Sequence, residues 1–121
     1  MPYDNAMADR IRDLLADTPG LVEQKMFGGI GWTIGGHMAV GCHSDGKLMV
    51  RCSKDDFPAF MDADGADAMR RGGKPMSGWI LVEPETVLSE DGMALWVGRG
   101  RDHATSMPPK PPKAKKAKGK N

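Results

Sequence analysis

Apolar residues first recur at Met7, Ile11, Leu14 and Leu15, with Asp9, Arg10, Arg12 and Asp13 filling the opposite side. That spacing of i, i+4, i+7 and i+8 predicts an amphipathic helix over about residues 5–17. Asp4 or Asn5 is its N-cap, and Thr18-Pro19-Gly20 is its stop, because the residue before proline avoids helical dihedrals and glycine accepts left-handed ones. The period then drops to two. Leu21 to Phe27 reads as an extended first segment leading into glycines, and three apolar-rich runs follow, separated by the turn dipeptides Gly35-Gly36 and Asp45-Gly46. This is the signature of a β-meander.

Two-residue turns at both places set a register. Ile34 faces His37 and Trp32 faces Ala39; across the second turn Ala39 faces Cys52, Gly41 faces Val50 and His43 faces Leu48. One face then collects Ile30, Trp32, Ile34, Ala39, Leu48, Val50 and Cys52, and is assigned to the core. The other carries Thr33, Met38, Val40, Cys42, Lys47, Met49 and Arg51 and is assigned to water. On this register Cys42 and Cys52 fall on opposite faces and about 10 Å apart along the strands, beyond the roughly 7 Å between Cα atoms that a disulfide bridges. A three-residue turn would bring them to one face yet leave them about four residues apart along the strands, so both are expected to be free thiols.

Further along, Phe57, Phe60 and Met61 mark a short helix with Pro58 tolerated in its first turn. Arg71 to Pro75 reads as a loop, and Trp79 to Val82 as a strand buried on both faces and closed by Glu83-Pro84. Ser89-Glu90-Asp91 opens a last helix, a capping hydroxyl followed by acids where the helix dipole favours them. Its apolar face is Met93, Trp96, Val97, Ala104 and Met107. Gly98 and Gly100 within it cost about 1 kcal/mol each relative to alanine, which predicts a bend or a close packing contact. Pro108-Pro109 stops the helix. Hairpin-linked strands between terminal helices make a small single α+β domain, an antiparallel β-meander sheet packed against amino- and carboxy-terminal helices.

Composition adds a division that the pattern does not. The 121 residues, 40% of them apolar, suffice for one core. No apolar run approaches a membrane span, the first twelve residues carry acids where a signal peptide needs an apolar stretch, and two cysteines are too few for a disulfide scaffold, so a cytoplasmic protein is expected. The net charge of +1 conceals an asymmetry: residues 1–107 hold 11 basic and all 16 acidic residues, a charge of −5, whereas residues 108–121 hold six lysines and no acid, +6. The chain thus reads as a folded domain over 1–107 and a disordered Lys/Pro/Ala-rich tail over 108–121, which has nothing to bury. Lys110, Lys113, Lys115, Lys116, Lys118 and Lys120 are the candidate nucleic-acid-binding residues, in the composition of tails that contact DNA or RNA without sequence preference. A purely solubilising tail, or one folded back on the acidic body, is the alternative.

Catalytic and cofactor chemistry finds little to stand on. Glycines 28, 29, 31, 35 and 36 lack the Gly-x-Gly-x-x-Gly spacing and lead into a hairpin where a nucleotide loop would open a helix, which argues against a methyltransferase-type cofactor site. Cys42 and His43 are adjacent on a strand and point to opposite faces, so with His37 and Cys52 they make no metal site. Asp62 to Asp67 lacks the spacing and closing glutamate of a calcium loop and reads as a solvated helix end. His103 is expected to be solvated, and Trp32, Trp79 and Trp96 to be core or interface residues. No catalytic residue, cofactor or metal is predicted.

Lys25-Met26-Phe27-Gly28-Gly29, Gly36-His37-Met38, Asp45-Gly46-Lys47-Leu48-Met49-Val50-Arg51, Gly73-Lys74-Pro75-Met76 with Gly78-Trp79, Glu83-Pro84 and Trp96-Val97 together resemble the TfoX/Sxy amino-terminal domain family, over about Asp4 to Pro109. The resemblance implies a small α+β fold and a part in regulation of the competence type. The chain departs from the full-length regulators in carrying the lysine tail where they carry a helical carboxy-terminal domain. The reading is therefore a non-enzymatic regulatory or adaptor domain acting through an unidentified protein partner, with a tail that binds nucleic acid nonspecifically and without membrane association. A small enzyme and a self-associating module, a homodimer through the sheet, are the alternatives.

Overall fold

The computed structural model describes residues 4–26 and 28–108. Helix α1, Asn5–Leu15, is capped by the Asp4 carboxylate, which accepts from the amides of Ala6 and Met7. It is followed by β1 (Leu21–Met26), β2 (Gly29–Ile34), β3 (His37–Cys42) and β4 (Leu48–Arg51), then α2 (Phe57–Met61), β5 (Ala66–Arg71), β6 (Lys74–Val82), a 3₁₀ turn Pro84–Val87, and α3 (Glu90–Thr105), capped by Ser89. The strands form one antiparallel sheet in the order β1-β2-β3-β4-β6-β5.

One side of this sheet is the core side. Ile30, Trp32, Val40, Cys42, Leu48, Val50, Cys52, Ile80 and Val82 are buried there against Met7, Ile11 and Leu15 of α1 and Met93, Trp96 and Val97 of α3. The first strand is tied to the helix layer by charge: Arg12 holds Glu23 through two hydrogen bonds, of 2.7 and 3.0 Å, and Glu23 in turn accepts from the indole of the fully buried Trp32 at 3.0 Å. That arrangement keeps the Glu23 carboxyl below its usual range, the Arg12 hydrogen bond contributing most.

The predicted register is corrected at two points. Ile34 does face His37, but Trp32 faces Val40 and not Ala39, because a β-bulge leaves Ala39 as the extra residue between Met38 and Val40. The β3–β4 connection holds three residues outside the ladder, Ser44-Asp45-Gly46, with the His43 amide bonded to the Lys47 carbonyl at 2.8 Å. Hence Val40 faces Val50, Gly41 faces Met49 and Cys42 faces Leu48. Together the two offsets shift β4 by two residues, which restores its face, so Leu48, Val50 and Cys52 are buried as predicted, while Val40 and Cys42 move from the watery side into the core. Cys42 and Cys52 therefore share a face, contrary to expectation, and both are free thiols, as expected.

The segment after α2 is also corrected. Residues 66–71 form an edge strand and Lys74–Val82 a long one, joined by Gly72 and Gly73 with φ of 59° and 81°. That is the turn geometry of Gly35-Gly36, whose φ values are 60° and 85°. Asp67 lies in this strand, not at a helix end. Within β6, Ile80 and Val82 are buried but Trp79 and Leu81 are half-buried, so only one of its faces is core. Gly100 is the close contact foreshadowed in the last helix: a Cβ there would fall on the Ala39 carbonyl oxygen and lie 2.6 Å from Val40 Cγ1.

Candidate functional site

The concavity richest in side-chain chemistry lies between α2, the end of β4 and the second half of α3. It is a cleft of about 350 Å³ lined in part by Cys52, Ser53, Asp56, Phe60, Arg99 and His103. Arg99 and His103, four residues apart on α3, flank the buried stripe to which Trp96 belongs. The Arg99 guanidinium sits 4.4 Å from the Phe60 ring centroid and 4.5 Å from that of Trp96, and these two rings meet edge to face at 5.8 Å. His103 is half-buried here and not simply solvated. Burial, and then the positive charge of Arg51, push its pKa down, so it is neutral at pH 7. Burial pushes the Cys52 thiol up. What the cleft offers is a flat cation, an aromatic wall and hydrogen-bonding groups, the equipment of a binding site.

The other candidates are dispersed. Cys42 is buried under the helices, and its thiol is pushed up to about 12 chiefly by burial. His43 sits in the β3–β4 connection with Nδ1 2.9 Å from Asp45, and His37 Nε2 donates to the Pro108 carbonyl at 2.7 Å. Among the described residues no three His, Cys, Asp or Glu side chains come together as metal ligands. The glycines serve the sheet: a Cβ on Gly29 would run into the Cys42 carbonyl oxygen. Trp32 and Trp96 are core residues and Trp79 is half-buried.

The six candidate lysines, Lys110 to Lys120, lie outside the described residues. On the body, Lys47 pairs with Glu83 at 3.4 Å, and Arg51 lies over the Trp79 ring at 4.6 Å while donating to the Gly78 carbonyl at 2.9 Å. Both of these sheet cations are thus engaged within the fold. No helix among the described residues is long and apolar enough to cross a membrane.

A six-stranded antiparallel sheet with its core side under terminal helices defines a small α+β domain. The model of the TfoX N-terminal domain matches residues 13–104, from within α1 into the last turn of α3, and the chain belongs to that family. Searches of curated proteins and of solved structures returned no match.

Proposed function

We propose that the chain is a non-enzymatic regulatory domain of the TfoX N-terminal type, working in the cytoplasm through contact with a protein partner, its lysine tail adding nonspecific affinity for DNA or RNA. The family match over residues 13–104 carries the regulatory reading. The tail reading is supported by the charge division, −5 over residues 1–107 (11 basic, 16 acidic) against +6 over residues 108–121 (six lysines). The Arg99 guanidinium held against the Phe60 and Trp96 rings in the cleft supports a binding role.

Truncation after Met107 tests both halves. The full chain should retain duplex DNA at low salt and the truncated chain should not, since a body of net negative charge repels phosphate. Comparable retention by both would move the nucleic-acid site onto the body. Capture of a protein from native lysate by the full chain should survive nuclease treatment; if every captured protein is lost with the nucleic acid, the protein-contact reading fails.

A further inference from the structure

A second concavity, of about 460 Å³, runs between α1 and the start of α3. Its apolar lining comes from Leu14, Ala94 and the buried Met93, and its acidic lining from Asp13, Glu90 and Asp91. Arg10 also lines it, so the charged side chains of the lining, three acids and one base, sum to −2. The two terminal nitrogens of Arg10 donate to the carbonyls of Val87 at 2.6 Å and Ser89 at 3.1 Å, bracketing Leu88, which is left 72% exposed beside the groove. Leu14 is 40% exposed. Asp13, Glu90 and Asp91 take part in no ion pair among the described residues. The groove thus has unspent negative charge along its walls and exposed leucines within and beside it.

We infer that this groove docks a basic amphipathic helix of a partner protein. Its leucine-type side chains at i, i+3, i+4 and i+7 would enter beside Leu14 and Leu88, and its lysines or arginines would pair with Asp13, Glu90 and Asp91. Two flanking helices make a seat for a third, packed ridge into groove. Charge selects among occupants. Nucleic acid is repelled by three carboxylates, and a second copy would bring a body of −5 (11 basic, 16 acidic residues over 1–107) against an acidic groove. The chain's own tail has lysines, but its apolar side chains are only proline and alanine, with nothing to fill the space between leucines. The inference rests on the protein-contact reading above and names the chemistry of the partner.

Two synthetic helices of about 15 residues, long enough to be partly helical in water, test it on the full chain. Both carry leucine at i, i+3, i+4 and i+7; one has lysine on its other face and the other glutamate. Fluorescence anisotropy should show the lysine peptide binding, with affinity falling as salt rises. Amide shifts in the full chain should centre on Leu14, Leu88 and Ala94. Leu14→Ala should weaken binding, and the triple variant Asp13→Lys, Glu90→Lys, Asp91→Lys should lower it roughly tenfold or more while admitting the glutamate peptide. Glu90 and Asp91 lie in the first turn of α3, where charge reversal costs helix stability, so the folding control is a dispersed amide spectrum recorded for each variant below its own melting midpoint. The inference is overturned if the glutamate peptide binds the parent equally well, if the shifts centre elsewhere, or if a peptide of residues 108–121 displaces the lysine peptide. Self-association abolished by the same substitutions would seat a second copy in the groove and overturn it too. Failure of the peptide test with nuclease-resistant capture intact sinks the groove alone; loss of that capture sinks the protein-contact reading beneath it.

Discussion

Cys42 and Cys52 lie under the helices with exposures of 1% and 2%, and burial raises both thiol pKa values, to about 12 for Cys42. Both protonation and shielding slow attack by a thiol reagent. An aromatic disulfide reagent should therefore find almost no reactive group in the native chain and two after denaturation without reductant; two fast groups in the native chain would contradict the burial. His103 gives a pH signature. Its folded-state pKa lies below the unfolded one, so the folded chain takes up this proton less readily, and the stability present at neutral pH is lost as pH falls below about 6.5, the unfolded value. Glu23, depressed by Arg12, is also lost on acidification, but only in the carboxylate range. Melting midpoints measured from pH 7 to pH 5 should fall for the parent and fall less for His103→Gln. Parallel curves would show that His103 titrates as freely in the fold as outside it.

At the scale of elements, two glycines fail under substitution for opposite reasons. Gly73 has φ of 81° and nothing within 4 Å of a built Cβ, so Gly73→Ala should cost only the left-handed backbone penalty, about 1–2 kcal/mol in a urea melt. Gly100 has no such φ but no room, since α3 rests on the Ala39 carbonyl; because the obstacle is backbone, Gly100→Ala should still cost about 3 kcal/mol net of the roughly 1 kcal/mol that alanine's helix propensity returns. Equal losses at the two sites would refute the distinction. The hairpin that Gly73 closes was also the least legible part of the chain. Ala66-Asp67-Ala68 has poor strand propensity and alternates over only three residues, and its strand exists because β6 offers an unpaired edge. The one available signal was Gly72-Gly73, the same dipeptide that revealed the β2–β3 turn. Both terminal helices were legible because their periodicity and caps agree. The faces of Val40 and Cys42 were not, since a bulge and a three-residue connection each add one residue that alternation cannot count. The cleft escaped because Phe60 and Arg99 meet only when α2 folds beside α3.

For the whole molecule, the division between acidic body and cationic tail makes a quantitative claim. Six lysines neutralising six phosphates should give a slope of log affinity against log salt of about −5 for duplex DNA and about −4 for a single strand, whatever the sequence. A much shallower slope would mean that only part of the tail engages. A different consequence, at the scale of the family, follows from the bulge. Ala39 is the spare residue of its strand and also the surface on which Gly100 rests, so the strand's extra length is taken up where a helix comes closest. A relative whose third strand is one residue shorter would keep every downstream side chain on its present face and lose only that protrusion. The helix would then have a gap where this chain has a close contact. Strand length and helix side-chain volume should accordingly vary together across the family: glycine at the position of Gly100 where the strand has the additional residue, and alanine or larger where it does not.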